Sequence, residues 1–338
     1  MSRRIIFHIG PAKTGTSSLQ DSLYAAQDHL MAQGVAYPTL GRYDRMPKLP
    51  GHHGLPAALQ AGLALPVPLM EWIGDLPRDH VVVFSSEDFS NLAVEQVAAL
   101  AAQIPGAEVE VVYYARRWDR LMPSVWQELV KHGSSRSYPE FLNQQTAAPR
   151  ASFYLNYAMV LDRWAQVFGT GSIRLWSFDN AIEETGDIVA HFCRRVLEVT
   201  PPPPQAQERN SSWPASSTEI LRLLNRLSFG TGAGTPSVRQ RLWQALPLLA
   251  AEMAELEAEL APFLRRCRPC APLVLHALEH ELLQRYGGQL GNPTAAGGLF
   301  PLGDFAEAGY YDSDHLLISR SAALIRDLHQ KLELPLAE

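Results

Sequence analysis

Lys13 lies between two glycines in the stretch Gly10-Pro-Ala-Lys-Thr-Gly15, and the hydroxyls of Thr14, Thr16, Ser17 and Ser18 crowd around it. The glycines let the main chain bend and approach a ligand closely, the ammonium adds charge, and the hydroxyls add donors. Such a turn suits an anion with several oxygens, a phosphate above all. The plain alternative for the same residues is a tight turn with an exposed lysine and a threonine cap. The flanks speak against that alternative. An apolar run, RIIFHI, precedes the turn, and Leu19, Leu23, Ala26 and Leu30 fall on one helical face after it. In a strand, turn and helix of this kind the free N–H groups of the first helical turn point at the bend and complete an anion site.

The nucleoside triphosphatase loop reads G-x-x-x-x-G-K-[ST], with magnesium held by its hydroxyl and by an aspartate at another strand's tip. Here Lys13 precedes the second glycine. The apolar run at 80–84 leads into Ser85 and the run at 109–115 into Arg116, so neither supplies that aspartate. A magnesium–triphosphate site is disfavoured, and a nucleotide-dependent kinase is the second reading.

The elements that must position these residues are legible at coarse grain. Runs at 4–9, 80–84, 109–115 and 172–176 predict strands, the first three almost continuously apolar, as strands of a sheet covered on both faces are. Amphipathic stripes after residue 15 and at 92–103, 118–131, 153–168 and 186–197 predict the helices between them. Alternation of strand and helix implies an α/β fold: a P-loop-type parallel β-sheet flanked by helices. After the proline break at 200–205 the pattern turns helical, at 216–228, 236–258, 271–285 and 315–333. The reading is a single domain over 1–338, with an α/β nucleotide-binding core at 1–200 and a helical extension at 201–338. Stretches 38–56 and 286–303, rich in proline and glycine, read as long surface loops.

HIGPAKTGTSSLQ resembles the 5′-phosphosulfate loop of the sulfotransferase family, whose donor is 3′-phosphoadenosine 5′-phosphosulfate (PAPS). The family's second signature is an arginine at a strand end followed eight residues later by a serine on the next helix. VVYYARRWDRLMPSVWQELVK has Arg116 and Ser124 at that spacing. FYLNYAMVLDRWAQVFGTGSIRLWSFDN and RNSSWPASSTEILRLLNRL are similar to further segments of bacterial members, so the resemblance spans roughly residues 4 to 230. It implies that the backbone of Ala12, Lys13, Thr14, Gly15, Thr16 and Ser17, with the Lys13 ammonium, holds the 5′-phosphosulfate, and that Arg116 and Ser124 grip the 3′-phosphate. A guanidinium and a hydroxyl can pinch one phosphate from two sides. No metal is expected.

Transfer to a hydroxyl or amine acceptor needs a group to take its proton. Glu87, just past a strand in VVVFSSEDFS, is the candidate catalytic base beside Lys13; small-molecule members of the family carry a histidine in the comparable place, and some carbohydrate-directed members a glutamate. A capping box over Ser85 and Asp88 with a solvated Glu87 is the plain alternative. His52 and His53, in PGHHGLP, are rival bases and candidate acceptor-binding residues. Arg117, Arg120 and Trp213, after Asn210-Ser211-Ser212, are weaker candidates for the nucleotide.

The bounds are those of an ordinary globular chain. It has 338 residues, 46% hydrophobic, 19% charged, with a formal net charge of −6, which argues against general nucleic-acid binding. No run approaches the roughly 18 apolar residues of a membrane span, and no signal-peptide core follows Ser-Arg-Arg, so a cytoplasmic protein with a small-molecule or carbohydrate acceptor is expected. Three cysteines cannot build a disulfide framework, and Cys267-x-x-Cys270 has no second pair for a zinc site. The run at 248–264 reads as an amphipathic helix without the lysines a membrane surface would want. A nucleotide-binding module without chemistry is the third class in view.

Overall fold

A computed structural model describes residues 3–42, 50–63, 69–203, 213–228, 237–301, 305–317 and 322–333. The Asn210-Ser211-Ser212 stretch lies outside them. The chain groups into two compact units, each assembled from separated segments: Met1–Arg117, Arg150–Gln207 and Leu273–Gly303 in the first, Trp118–Pro149, Glu208–Pro272 and Asp304–Glu338 in the second. The division therefore does not run at the proline break near residue 200.

The first unit holds a five-stranded parallel sheet of order β2-β3-β1-β4-β5, formed by β1 (Arg4–His8), β2 (Val35–Ala36), β3 (Val81–Ser85), β4 (Glu108–Ala115) and β5 (Ile173–Ser177). The fold class is α/β, as the alternation of patterns implies. β1 is central, with Ile5 opposite Val82 on one side and Val109 on the other. Both faces are covered, which is why the strands read as unbroken apolar runs. On one face Ile6, Val83 and Val112 pack with Leu19, Leu23, Ile188 and Phe192; on the other Phe7 stacks on Phe84 and meets Phe89 and Trp164. The chain leaves β1 towards β2 but leaves β3 towards β4, so the carboxyl ends of β1 and β3 flank the crevice where the winding reverses. That crevice is where open α/β sheets bind ligands.

β2, with two residues, is too short to leave a period in the sequence. The helix expected from 153 starts at Tyr157, because the Asn156 side chain caps the Met159 amide at 3.3 Å. The stretch 38–56, read as loop, runs into a helix over Gly54–Gln60. The stretch 286–303, described to residue 301, holds a short turn over Gly287–Gln289 and is docked: Leu290 bridges Leu175 of β5 in parallel, and Asn292 exchanges two hydrogen bonds with the Ser177 backbone at 2.8 and 3.0 Å.

The second unit is mainly helical: Trp118–Lys131, Tyr138–Thr146, Ala215–Leu227, Val238–Ala245, Ala250–Leu260 and Ala322–Lys331. The single helix expected over 236–258 is broken at Leu246–Leu248, where Pro247 has no N–H to continue it. An antiparallel pair, β6 (Leu264–Cys267) and β7 (Ala308–Tyr311), escaped the sequence reading because four exposed or half-exposed residues show no apolar alternation. Among the described residues no helix is long and apolar enough to cross a membrane.

Candidate functional site

The turn after β1 is a left-handed bend fixed at three residues. Gly10 has φ 94°, Lys13 φ 71° and Gly15 φ 73°, and the Gly10–Pro11 bond is cis. A non-glycine residue in that region is uncommon, and Lys13 is held there by its surroundings. Thr14 Oγ1 donates to the Pro11 carbonyl at 2.7 Å, and an Arg116 Nη1–H, from the tip of β4, donates to the Lys13 carbonyl at 2.5 Å. The next helix, α1 (Thr16–Ala25), starts on Gly15 with no side-chain cap. Among the described residues, the backbone N–H groups of Thr14, Gly15, Thr16 and Ser17 donate to no group of the chain. Four free donors on one bend, with the positive end of a helix dipole behind them, form an anion nest.

The nest is closely backed. A Cβ on Gly15 would stand 2.9 Å from Ile188 Cγ2, and one on Gly10 3.1 Å from the Glu87 Cα and Cβ. Glu87 therefore packs directly against the first glycine of the turn, at the carboxyl end of the neighbouring strand. Its Oε2 accepts from Gln20 Nε2 at 3.0 Å, and Gln20 is itself buried on α1. The carboxylate is thus tethered at one oxygen, half-buried, with Oε1 left for another donor. Capping of the short helix over Glu87–Asn91 falls to Ser86, not Ser85: the Asp88 N–H donates to Ser86 Oγ at 3.2 Å. Ser85 instead faces inward, with its hydroxyl 2.8 Å from His8 Nδ1.

The two histidines of PGHHGLP part company. His52 is fully buried; its Nδ1 accepts the Ser85 N–H at 3.0 Å, which leaves Nε2 to donate to the Pro38 carbonyl at 2.9 Å. Both ring nitrogens are taken by backbone, and burial, aided by the Arg42 charge, pushes its pKa down to about 3. His52 is a neutral core histidine with no nitrogen to offer an acceptor. His53 is half-buried, its Nδ1 2.8 Å from Asp88 Oδ2 and 2.9 Å from Ser86 Oγ. Burial lowers its pKa, but the Asp88 hydrogen bond and the Glu87 and Asp88 charges outweigh that, and the net shift is upward. A Cβ on Gly51 would stand 2.5 Å from His53 Nε2 and 2.6 Å from Gln20 Oε1, so the glycine lets these two side chains converge beside Glu87.

Arg116 has its guanidinium 5.4 Å from the Phe178 ring centroid, and its carbonyl accepts from the buried Tyr157 hydroxyl at 2.5 Å. The structure thus brings Lys13, Arg116, Glu87 and the 12–17 backbone together within one unit. Ser124 belongs to the second unit, half-exposed on the helix Trp118–Lys131. Arg117 is anchored by its N–H to Asp179 Oδ2 at 2.7 Å, and Arg120 is exposed. Trp213, in the second unit, stacks on Trp243 with centroids 5.6 Å apart. Cys267, at the end of β6, has its thiol pushed up to about 11 by burial, and Cys270 moves the same way, which keeps both protonated and unreactive. Sequence reasoning missed Gln20, which sits on the stripe that reads as core and is distinguished only by being polar there.

No protein-family model matches the chain, and no curated protein matches it. Among solved structures it is similar to the crystal structure of a sulfotransferase from Alicyclobacillus acidocaldarius, at 16% identity over 67% of this chain and 94% of that one, with a TM-score of 0.38.

Proposed function

We propose that this chain transfers a sulfuryl group from PAPS to a hydroxyl or amine on a small-molecule or carbohydrate acceptor. The observation that carries the reading is the nest at Thr14–Ser17, whose entry peptide at Lys13 is clamped by the strand-tip Arg116, in a turn whose first glycine, Gly10, is backed by Glu87. Donors, a cation and a base meet at one crevice, in the order the sulfotransferase signatures have in the sequence.

The residues divide the work by charge. The four free N–H groups and the Lys13 ammonium bind the 5′-phosphosulfate and neutralise the negative charge that grows on the bridging oxygen as its bond to sulfur breaks. Arg116 takes the 3′-phosphate, whose charge does not change. Glu87 accepts the proton of the acceptor as its oxygen or nitrogen bonds to sulfur. Gln20 holds one Glu87 oxygen and so fixes where the other points. The residue set asks for no metal.

Calorimetric titration of the metal-free protein with 3′-phosphoadenosine 5′-phosphate, against ATP with and without Mg²⁺, tests this. Tight binding of the bisphosphate without metal, with ATP weaker, is expected, followed by turnover of labelled PAPS with an acceptor. Preference for magnesium–ATP would return the loop to the kinases, and bisphosphate binding without turnover over a broad acceptor panel would leave a binding module.

A further inference from the structure

Arg42 is a half-buried cation that, among the described residues, has no counter-ion. Its guanidinium carbon lies 4.4 Å from the Tyr24 ring centroid and 5.0 Å from that of Tyr37. Nη2 reaches only the Tyr37 carbonyl, at 3.4 Å, and Nε is buried with no partner. Among the described residues no carboxylate lies within ion-pair distance of it. Removing a charge from water without a partner is costly, and one long bond to a carbonyl does not offset it. Burial accordingly weakens its hold on the proton. The two rings flank the planar group, and a planar guanidinium with forked N–H donors suits a two-oxygen ligand better than an ammonium does. Tyr24 is 42% exposed, so the outer side of the stack is open to solvent.

Its place in the fold connects it to the crevice. Tyr24 follows Gln20 by four residues on α1, and side chains so spaced are neighbours about 6 Å apart. Gln20 is the residue that tethers Glu87. From the other side, the Arg42 carbonyl backs Gly54, where a Cβ would stand 2.9 Å from it, and Gly54 follows His53. Arg42 therefore packs on Tyr37, a ring that feels the charges of both Arg42 and Glu87.

We propose that Arg42 binds an oxyanion on the acceptor, a carboxylate or a sulfate ester, while Glu87 receives the proton of a hydroxyl or amine of the same molecule. The acceptor class is then acidic molecules. The second half rests on the sulfuryl-transfer reading; the anion site does not.

The test uses 15N-labelled full-length protein saturated with 3′-phosphoadenosine 5′-phosphate, so that the donor nest is filled. Acetate, inorganic sulfate, methyl glucuronide, glucose 6-sulfate and neutral methyl glucoside are titrated while the Arg42 side-chain resonances are followed, with Arg42→Lys supplying the assignment. The anions should move those resonances with millimolar dissociation constants, the glucoside should not, and Arg42→Gln should lose at least about tenfold in anion affinity with bisphosphate affinity unchanged. Glucuronide against glucose 6-sulfate separates the carboxylate source from the sulfate ester. Resonances unmoved by every anion, or moved equally by the neutral glucoside, would overturn the proposal. If Arg42→Gln fails to fold, the wild-type titration and Arg42→Lys, which keeps charge but loses the fork and should bind severalfold more weakly, still decide it. Absence of bisphosphate binding in the same sample would overturn the sulfuryl-transfer reading instead, leaving the anion response to stand or fall alone.

Discussion

The guanidinium of Arg116 donates to the carbonyl oxygen of Lys13, joining the tip of β4 to the middle of the turn after β1. One side chain thus holds the left-handed peptide that sets the direction of the Lys13 chain.

The two residues should therefore fail differently. Lys13→Ala removes a charge whose partner becomes more negative in the transition state, so kcat should drop about 10²- to 10³-fold with a small change in donor affinity. Arg116→Ala removes a partner of an unchanging phosphate, so affinity for PAPS and for the bisphosphate should fall together, by roughly ten- to a hundredfold. Steady-state kinetics and calorimetry separate the two. If both variants bound the bisphosphate like wild type, the site would lie elsewhere.

Glu87→Gln keeps the shape and the Gln20 contact region but cannot take a proton, and kcat should fall about 10²- to 10⁴-fold with bisphosphate binding intact. Gln20→Met frees Glu87 Oε2 without touching the reacting atoms, so a smaller loss and a displaced acidic limb of the kcat–pH profile are expected. An unmoved profile would make Gln20 a packing residue only.

Gly10→Ala should damage both stability and turnover. Its φ of 94° disfavours any side chain by roughly 1–2 kcal/mol, and its Cβ would meet the Glu87 backbone at 3.1 Å, so the base must shift. Denaturant midpoints and kcat should fall together; retained kcat would show that the site does not depend on this approach.

The histidines set opposite slopes in stability against pH. His53 has a raised pKa, so its pair with Asp88 contributes fully below about 6.5, its unfolded value, and is lost as pH rises through the folded value. His8 and His52, pushed by burial to about 3, and His191, to about 4, contribute above 6.5, and their contribution is lost as pH falls towards those values. Thermal unfolding should show a maximum between these limbs. His53→Gln should lower Tm most near pH 6 and little at pH 8.5; a deficit constant with pH would remove the charge from the explanation.

The strands and the glycine bend after β1 were legible because both are local. A sheet covered on two faces needs continuous apolar runs, and a nest needs glycines and donors in sequence. Gln20, Arg42 and the loss of His52 to the core were not legible, since each depends on what a distant segment brings: Glu87, the Tyr24 and Tyr37 rings, the Ser85 amide. His52 and His53 are adjacent in the chain and alike in type, and only the direction each side chain takes from the backbone separates them. The break at Leu246–Leu248 was visible in Pro247, and the apolar stripe on either side concealed it.

A buried ion network in the second unit sets the last expectation. Arg222, fully buried, donates to Glu219 Oε1 at 2.6 Å, Asp314 Oδ1 at 2.6 Å and the Ser135 carbonyl at 3.0 Å, and Ser313 donates to Glu219. One guanidinium thereby links three stretches of chain distant in sequence. Burial works against its charge, and the Glu219 and Asp314 carboxylates outweigh burial and raise its pKa. Arg222→Met strands Glu219 as a buried charge and should cost roughly 3–5 kcal/mol, whereas Arg222→Met with Glu219→Leu removes both charges and should recover most of that loss. Urea titrations of the two variants and of Glu219→Leu complete the cycle. A double variant as unstable as Arg222→Met would mean that Arg222 acts by linking Ser135 and Asp314 rather than by answering the Glu219 charge.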